Sequence, residues 1–114
     1  MAFGRRHDPH LTPAVFHILI ALGDGEAHGY AIMQDTLERS GGSVRLGPGT
    51  LYGAISRLLG EGLIEEFEKH ATSEKNDPRR RYYRLTKLGS RVLSEETKRL
   101  EALLRVAKVH QSYP

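Results

Sequence analysis

The apolar pattern of this 114-residue chain changes period twice, and no other feature of the sequence restricts its fold as strongly. From Pro13 to Gly60 apolar residues recur at helical spacing. Leu63–Glu68 and Arg81–Leu85 are instead short runs with β-branched or aromatic residues, and from Thr86 onward the helical spacing returns. Side chains repeat about every 3.6 residues along a helix and every 2 along a strand, so one pattern cannot serve as the other. The predicted order is three helices, a hairpin and one long helix: mainly α with a small β-hairpin.

Local signals set the boundaries. Thr12 as N-cap and Pro13 at the first helical position open a helix with Val15, Ile18, Leu19 and Leu22 on one face, closed by Gly23 and Gly25. Phe16 and Ile20 make its other side apolar, so both faces are expected to touch something. A second helix is expected from His28 to Ser40, with Tyr30, Met33, Gln34 and Leu37 on a shared stripe, His28 fixing its start and Gly41 and Gly42 stopping it. The third, from Pro48 to Gly60, buries Leu51, Ala54, Ile55, Leu58 and Leu59. The polar segment Lys69–Arg80 is read as a long hairpin tip. Thr86 caps a last helix that reaches about Val109.

The length supports one domain at roughly 150 residues each. Cysteine is absent, which excludes disulfide staples, thiolate metal sites and thiol chemistry. The uncharged run Leu11–Gly23 is too short to span a bilayer. Arg5 and Arg6 ahead of it mimic a signal peptide, but Asp8, Pro9 and His10 interrupt the pattern and no small-residue cleavage site follows. The expectation is a cytoplasmic protein without a membrane partner. His7 and His10 sit three apart in a proline-containing arm without a third ligand, so no metal site is expected. No nucleophile elbow occurs, and Gly47-Pro48-Gly49-Thr50 is too short for a P-loop and lacks its lysine. Neither catalysis nor a cofactor is expected.

Charge is unevenly distributed. The net charge of the chain is +3, yet residues 69–87 alone carry +5, between acidic and mixed segments. Such a concentration is the footprint of a surface that meets a polyanion. Three helices followed by a hairpin is the order of a winged helix-turn-helix, in which the third helix enters a major groove and the hairpin touches adjacent backbone. Opposite the buried leucines of that third helix lie Gly49, Gly53, Ser56, Arg57 and Gly60, with Thr50 and Tyr52 at the rims. An interior glycine costs about 1 kcal/mol against alanine, so several on one face call for close approach of another surface. Gly49, Thr50, Tyr52, Ser56 and Arg57 are the candidate DNA-reading residues, and Lys75, Arg79, Arg80 and Arg81 of the wing the candidate phosphate contacts.

At these residues the chain resembles the PadR-like family of transcriptional regulators. The marks are His28-Gly29-Tyr30, Gly49-Thr50-Leu51-Tyr52, Arg57-Leu58 followed by Glu61-Gly62-Leu63-Ile64, and Tyr83-Arg84-Leu85-Thr86 with Gly89. They extend over about residues 11–109. Gly53 stands where many members carry proline, Leu59 replaces a common glutamate, and the wing loop is long. What the resemblance implies is a dimeric repressor on a pseudo-palindromic operator, with a small-molecule effector of unnamed identity meeting it near the dimer interface.

The last helix supplies the expected dimer seam. Leu93, Leu100 and Ala107 recur seven apart, with Leu103 and Leu104 beside them, and one small domain cannot cover that stripe. Together with Phe16 and Ile20 these residues are the candidate interface with a second copy; the other reading packs the stripe against the first helix of its own chain. The organisation expected is a flexible basic arm at 1–10, a winged helix-turn-helix at 11–85, a dimerisation helix at 86–110 and a tail at 111–114. A rival function is a winged-helix module that binds protein or RNA, for which the acidic residues Glu65, Glu66 and Glu68 would suit a basic partner.

Overall fold

Three of the four described helices start at a side chain that accepts from the backbone. In the computed structural model, which describes residues 11–70 and 79–111 with the side chains at 70 and 79 excepted, Thr12 Oγ1 accepts from the Val15 amide at 3.1 Å and opens α1 (Pro13–Gly23). His28 Nδ1 accepts from the Ala31 amide at 3.2 Å and opens α2 (Gly29–Arg39). Helix α3 (Pro48–Gly60) starts with proline at its first turn, and Thr86 Oγ1 accepts from Gly89 at 3.0 Å ahead of α4 (Lys87–Gln111). Each of these caps satisfies an amide that has no partner inside its helix.

The hairpin is longer, and the sheet wider, than the sequence pattern indicates. Strands β2 (Ile64–His70) and β3 (Arg79–Leu85) pair antiparallel from Ile64↔Leu85 to His70↔Arg79. A two-residue strand β1 (Ala27–His28) pairs on the other side of β3, through Ala27↔Tyr83 and His28↔Tyr82, to give the order β1-β3-β2. Residues 69–70 and 79–80, read from the sequence as part of the hairpin tip, therefore lie in the ladder.

Alternation along β3 divides the sheet. Tyr83 points into the core with Ile64 beside its strand partner Leu85, while Tyr82 stacks on Phe67 at 5.9 Å and meets His28 edge-on at 5.3 Å. The core joins α1, α2, α3 and the inner sheet face through Ile18, Leu19, Ile32, Leu51, Leu58 and Leu63, all essentially without solvent contact. Burying each such side chain contributes about 1.5–3 kcal/mol.

Helix α2 corrects the sequence reading by a rotation. Ile32 and Thr36 face the core, whereas Tyr30 is exposed and Gln34 lies at the surface. Threonine took a core place that pattern reading gave to larger side chains. On α3, Leu51, Ile55 and Leu58 are buried as expected, with Ala54 and Leu59 half-buried.

Two glycines allow elements to touch. A Cβ at Gly89 would lie 2.0 Å from the Leu63 carbonyl oxygen, so only glycine lets the first turn of α4 rest on the chain entering β2. Thr86 adds two bonds there: its hydroxyl donates to Gly62 O at 2.7 Å, and its amide to Leu63 O at 3.1 Å. Gly29 plays the same part at α2, where a Cβ would lie 2.1 Å from the Tyr52 hydroxyl oxygen.

Helix α4 has two unlike halves. Leu88, Val92 and Leu93 pack on the core, and Leu93 reaches Gly23 at the end of α1. The packed half ends at Glu96, a buried carboxylate gripped by Arg99 through Nε (2.9 Å) and Nη2 (2.6 Å). Beyond Leu100 every residue to Gln111 is exposed, with Leu103, Leu104, Val106 and Val109 between 53% and 55% accessible. Gln111 thus belongs to the helix and not to the tail. The arm at 1–10, the tip residues 71–78 and residues 112–114 lie outside the described residues. No described helix is long and apolar enough to cross a membrane.

Candidate nucleic-acid interface

The amphipathic pattern of α3 fixes which side faces outward. With Leu51, Ile55 and Leu58 anchored, Gly49, Thr50, Tyr52, Gly53, Ser56, Arg57 and Gly60 are all exposed. A Cβ built at Gly49, Gly53 or Gly60 would meet nothing within 4 Å. Internal packing therefore has no use for these three glycines, and Gly53, in the helix interior, weakens the helix. Gly47, the N-cap, provides no side-chain acceptor, so the first amides of α3 also face outward unpaired by a cap.

The polar side chains on this face differ in what they touch. Thr50 and Ser56 form no side-chain hydrogen bond among the described residues, while Arg57 leans along its own helix to Glu61 at 3.4 Å. Tyr52 lies against α2: its hydroxyl occupies the space that a side chain at residue 29 would need. It is half exposed and rests against the start of α2 as well as facing outward.

Strand β3 presents its cations beside this face, and each described one has a counterpart. Arg81 Nη1 donates to Glu66 at 2.7 Å, and Arg84 Nε donates to Glu65 at 2.8 Å. The Arg84 guanidinium also sits 4.4 Å over the Phe67 ring. Lys69 is directly opposite Arg80 in the ladder, a like-charge pair relieved because Lys69 turns to Glu26 and to the Tyr82 ring, 4.6 Å away. Arg80 Nη1 lies 3.0 Å from His28 Nε2. Exposed ion pairs of this kind are worth only about 0–1 kcal/mol, so they orient the arginines without committing them. Arg79 is in the strand with its side chain undescribed, and Lys75 is outside the described residues.

Between the start of α2, the first half of α3 and β3 lies a cleft of about 320 Å³, lined by His28, Gly29, Tyr30, Tyr52, Arg80, Arg81 and Tyr83. Burial, followed by the neighbouring Glu66 carboxylate, pushes the Tyr83 hydroxyl above its ordinary pKa, so it stays protonated. Burial, followed by the charge of Arg80, lowers His28 below the ordinary histidine value and favours the neutral ring. The cleft thus combines guanidinium groups with phenolic donors, a chemistry suited to oxyanions. Sequence reasoning singled out Tyr52, Arg80 and Arg81 of this set, but gave His28 only its capping role and placed Tyr30 in the core. The His28-Gly29-Tyr30 run was the available signal. No group of three potential metal-ligating residues occurs among the described residues.

The expected interface residues of the second surface are divided. Phe16 and Ile20 are half-buried on α1, and Leu93 packs on the core of its own chain, as the other reading of that stripe anticipated. Leu100 is half-buried, while Leu103, Leu104 and Ala107 are exposed together on the projecting half of α4.

Comparison with known proteins agrees with this architecture. Residues 18–95 match the profile of the transcriptional regulator PadR-like family. The transcriptional regulator Rv3488 of Mycobacterium tuberculosis is 36% identical over 97 residues, covering 85% of this chain and 84% of that one. A 37.1 kDa protein from transposon TN4556 of Streptomyces fradiae is 40% identical over 79 residues; the match covers 69% of this chain but only 20% of that relative. Among solved structures, Bacillus subtilis PadR in complex with operator DNA superposes with a TM-score of 0.63 at 25% identity, over 75% of this chain and 46% of that one. With the winged helix, its motif residues and the profile in agreement, the chain belongs to the PadR-like family of transcriptional regulators and is not an enzyme.

Proposed function

We propose that this chain is a sequence-specific DNA-binding repressor that acts in the cytoplasm as a homodimer on a pseudo-palindromic operator. Residues 11–85 form the DNA-binding unit, and residues 86–110 the dimerisation helix. Helix α3 enters the major groove with Gly49, Thr50, Tyr52, Ser56 and Arg57 at the DNA, while Arg79, Arg80, Arg81 and Lys75 meet phosphates. The observation that carries this reading is the open face of α3, where three glycines serve no internal contact. The solved complex of Bacillus subtilis PadR with operator DNA supports it by likeness.

The projecting half of α4 supports assembly, because its exposed leucines and valines would be covered by a second copy. Two-fold pairing would set the recognition helices about 34 Å apart, one turn of the duplex. Release by a small-molecule effector completes the reading. The acidic strand that favoured a protein- or RNA-binding module is less available than its sequence indicates, since Glu65 and Glu66 already pair with Arg84 and Arg81.

A gel-shift series in rising salt tests the DNA contact: binding to a selected duplex should weaken steeply, and indifference to salt would sink the reading. Light scattering tests assembly. Leu100→Glu combined with Leu104→Glu should yield monomers, and an unchanged dimer mass would refute the seam.

A further inference from the structure

His28 has two ring nitrogens with opposite tasks. Its Nδ1 accepts from the Ala31 amide, and a neutral imidazole that accepts at one nitrogen carries its proton on the other. The cap on α2 therefore fixes the tautomer, and Nε2–H is a donor. What it faces is Arg80 Nη1, 3.0 Å away, and a guanidinium can only donate. Two donors facing each other at this distance leave both without an acceptor, a shared acceptor beside them would satisfy both, and next to a positive charge the best acceptor is an oxyanion.

We propose that His28 Nε2–H and Arg80 together grip one phosphate oxygen at the mouth of the cleft beside α2. The proposal rests on the DNA reading for its natural ligand, a backbone phosphodiester, although a free phosphate has the same chemistry. The surroundings fit. Tyr82 holds the His28 ring edge-on, β1 pairing holds its backbone, and Lys69 with its partner Glu26 adds a neutral pair on the neighbouring side. Tyr30 and Tyr52 line the same cleft and offer hydroxyl donors, while Arg81 adds a second guanidinium. His28 thus couples the start of the helix-turn-helix to the wing: the nitrogen that caps α2 determines what the other presents to the ligand.

The test uses the full chain in four forms: unaltered, His28→Asn, Arg80→Gln and the double variant. Asparagine keeps an N-cap acceptor for α2, and its shorter amide cannot place a donor where Nε2–H stands, so the fold survives while the grip is lost. A charge-assisted bond of this type corresponds to about a tenfold change in affinity. Each single variant should weaken binding to a random-sequence duplex about tenfold. The double variant should fall well short of the roughly hundredfold that independent contacts would produce, because both donors serve one oxygen. Losses that multiply, or a single variant that binds like the unaltered chain, would overturn the proposal.

If the unaltered chain binds no duplex, the DNA reading fails separately, and inorganic phosphate decides the site. A saturable shift of the His28 Nε2 resonance with phosphate, lost in Arg80→Gln, would sustain an oxyanion grip for a free phosphate. No shift would overturn it, as would a nitrogen spectrum placing the His28 proton on Nδ1.

Discussion

The outward face of α3 and the cationic strand β3 border one cleft, yet they meet the solvent in opposite ways. On α3 the side chains are small, Thr50 and Ser56 make no side-chain bonds among the described residues, and a methyl group at Gly49, Gly53 or Gly60 would touch nothing. On β3, Arg81 and Arg84 are already paired with Glu66 and Glu65, while Arg80 faces the neutral His28 ring. One surface is open in shape; the other is occupied in charge. A count of cations therefore overstates the bare field around the wing. Arg81 and Arg84 would reach phosphate by exchanging partners, whereas α3 would give up little more than the Arg57–Glu61 pair.

The sharpest way to break this contrast is to fill the open face. Gly53→Glu adds bulk and negative charge where the free protein has room for both, so helical content and melting temperature should change little. Like-charge contact with phosphates costs several kcal/mol, and duplex affinity should fall by about a hundredfold or more. Retained binding with an intact fold would remove α3 from the interface.

Next in size is the wing. Arg79, Arg80 and Arg81 changed together to alanine should lower the slope of log affinity against log salt by about 0.9 for each phosphate that is no longer neutralised. Because Arg81 already holds Glu66, the drop should be smaller than three fully engaged phosphates require. A slope unchanged from the unaltered chain would show that these arginines only hold the sheet together.

That pairing explains what was and was not legible in the sequence. Thr12, His28 and Thr86 could be read as helix starts because a cap is a local event, decided within three residues. The stripe of α3 was equally plain, since its leucines follow one period. Strand β1 was not legible: Ala27 and His28 are strand only because Tyr83 and Tyr82 lie beside them, more than fifty residues away in the chain. The ladder likewise extends through Lys69↔Arg80, where no alternation of apolar residues announces a strand. The ion pairs depend on that register. Glu65 meets Arg84 directly opposite, and Glu66 meets Arg81 along the diagonal, neither of which a run of arginines reveals. Gly29 and Tyr52 belong to separate motifs, and only the fold shows them as a fitted pair.

Releasing one arginine sharpens the comparison from the other direction. Glu66→Gln keeps an acceptor beside Tyr83 but removes the charge that holds Arg81, so the wing should become more available to phosphate. An exposed pair is worth up to about 1 kcal/mol, which corresponds to an affinity gain of up to about fivefold. Salt titrations should show a steeper slope as well. Unaltered or weaker binding would mean that Glu66 positions Arg81 for the duplex and does not compete with it.

The smallest binding effect is expected from Gly53→Ala, and it tests why the glycine is there. A methyl at this position meets nothing in the free chain, and alanine is the better helix former by about 1 kcal/mol. Thermal or denaturant unfolding should therefore show a more stable protein. If α3 approaches another surface closely at Gly53, the same methyl must be accommodated in the complex, and duplex affinity should fall modestly while stability rises. Opposite signs in the two measurements would tie the glycine to an external contact. A gain in stability with no loss of binding would instead show that the groove leaves this part of α3 untouched, and the contact would then fall to Thr50, Ser56 and Arg57.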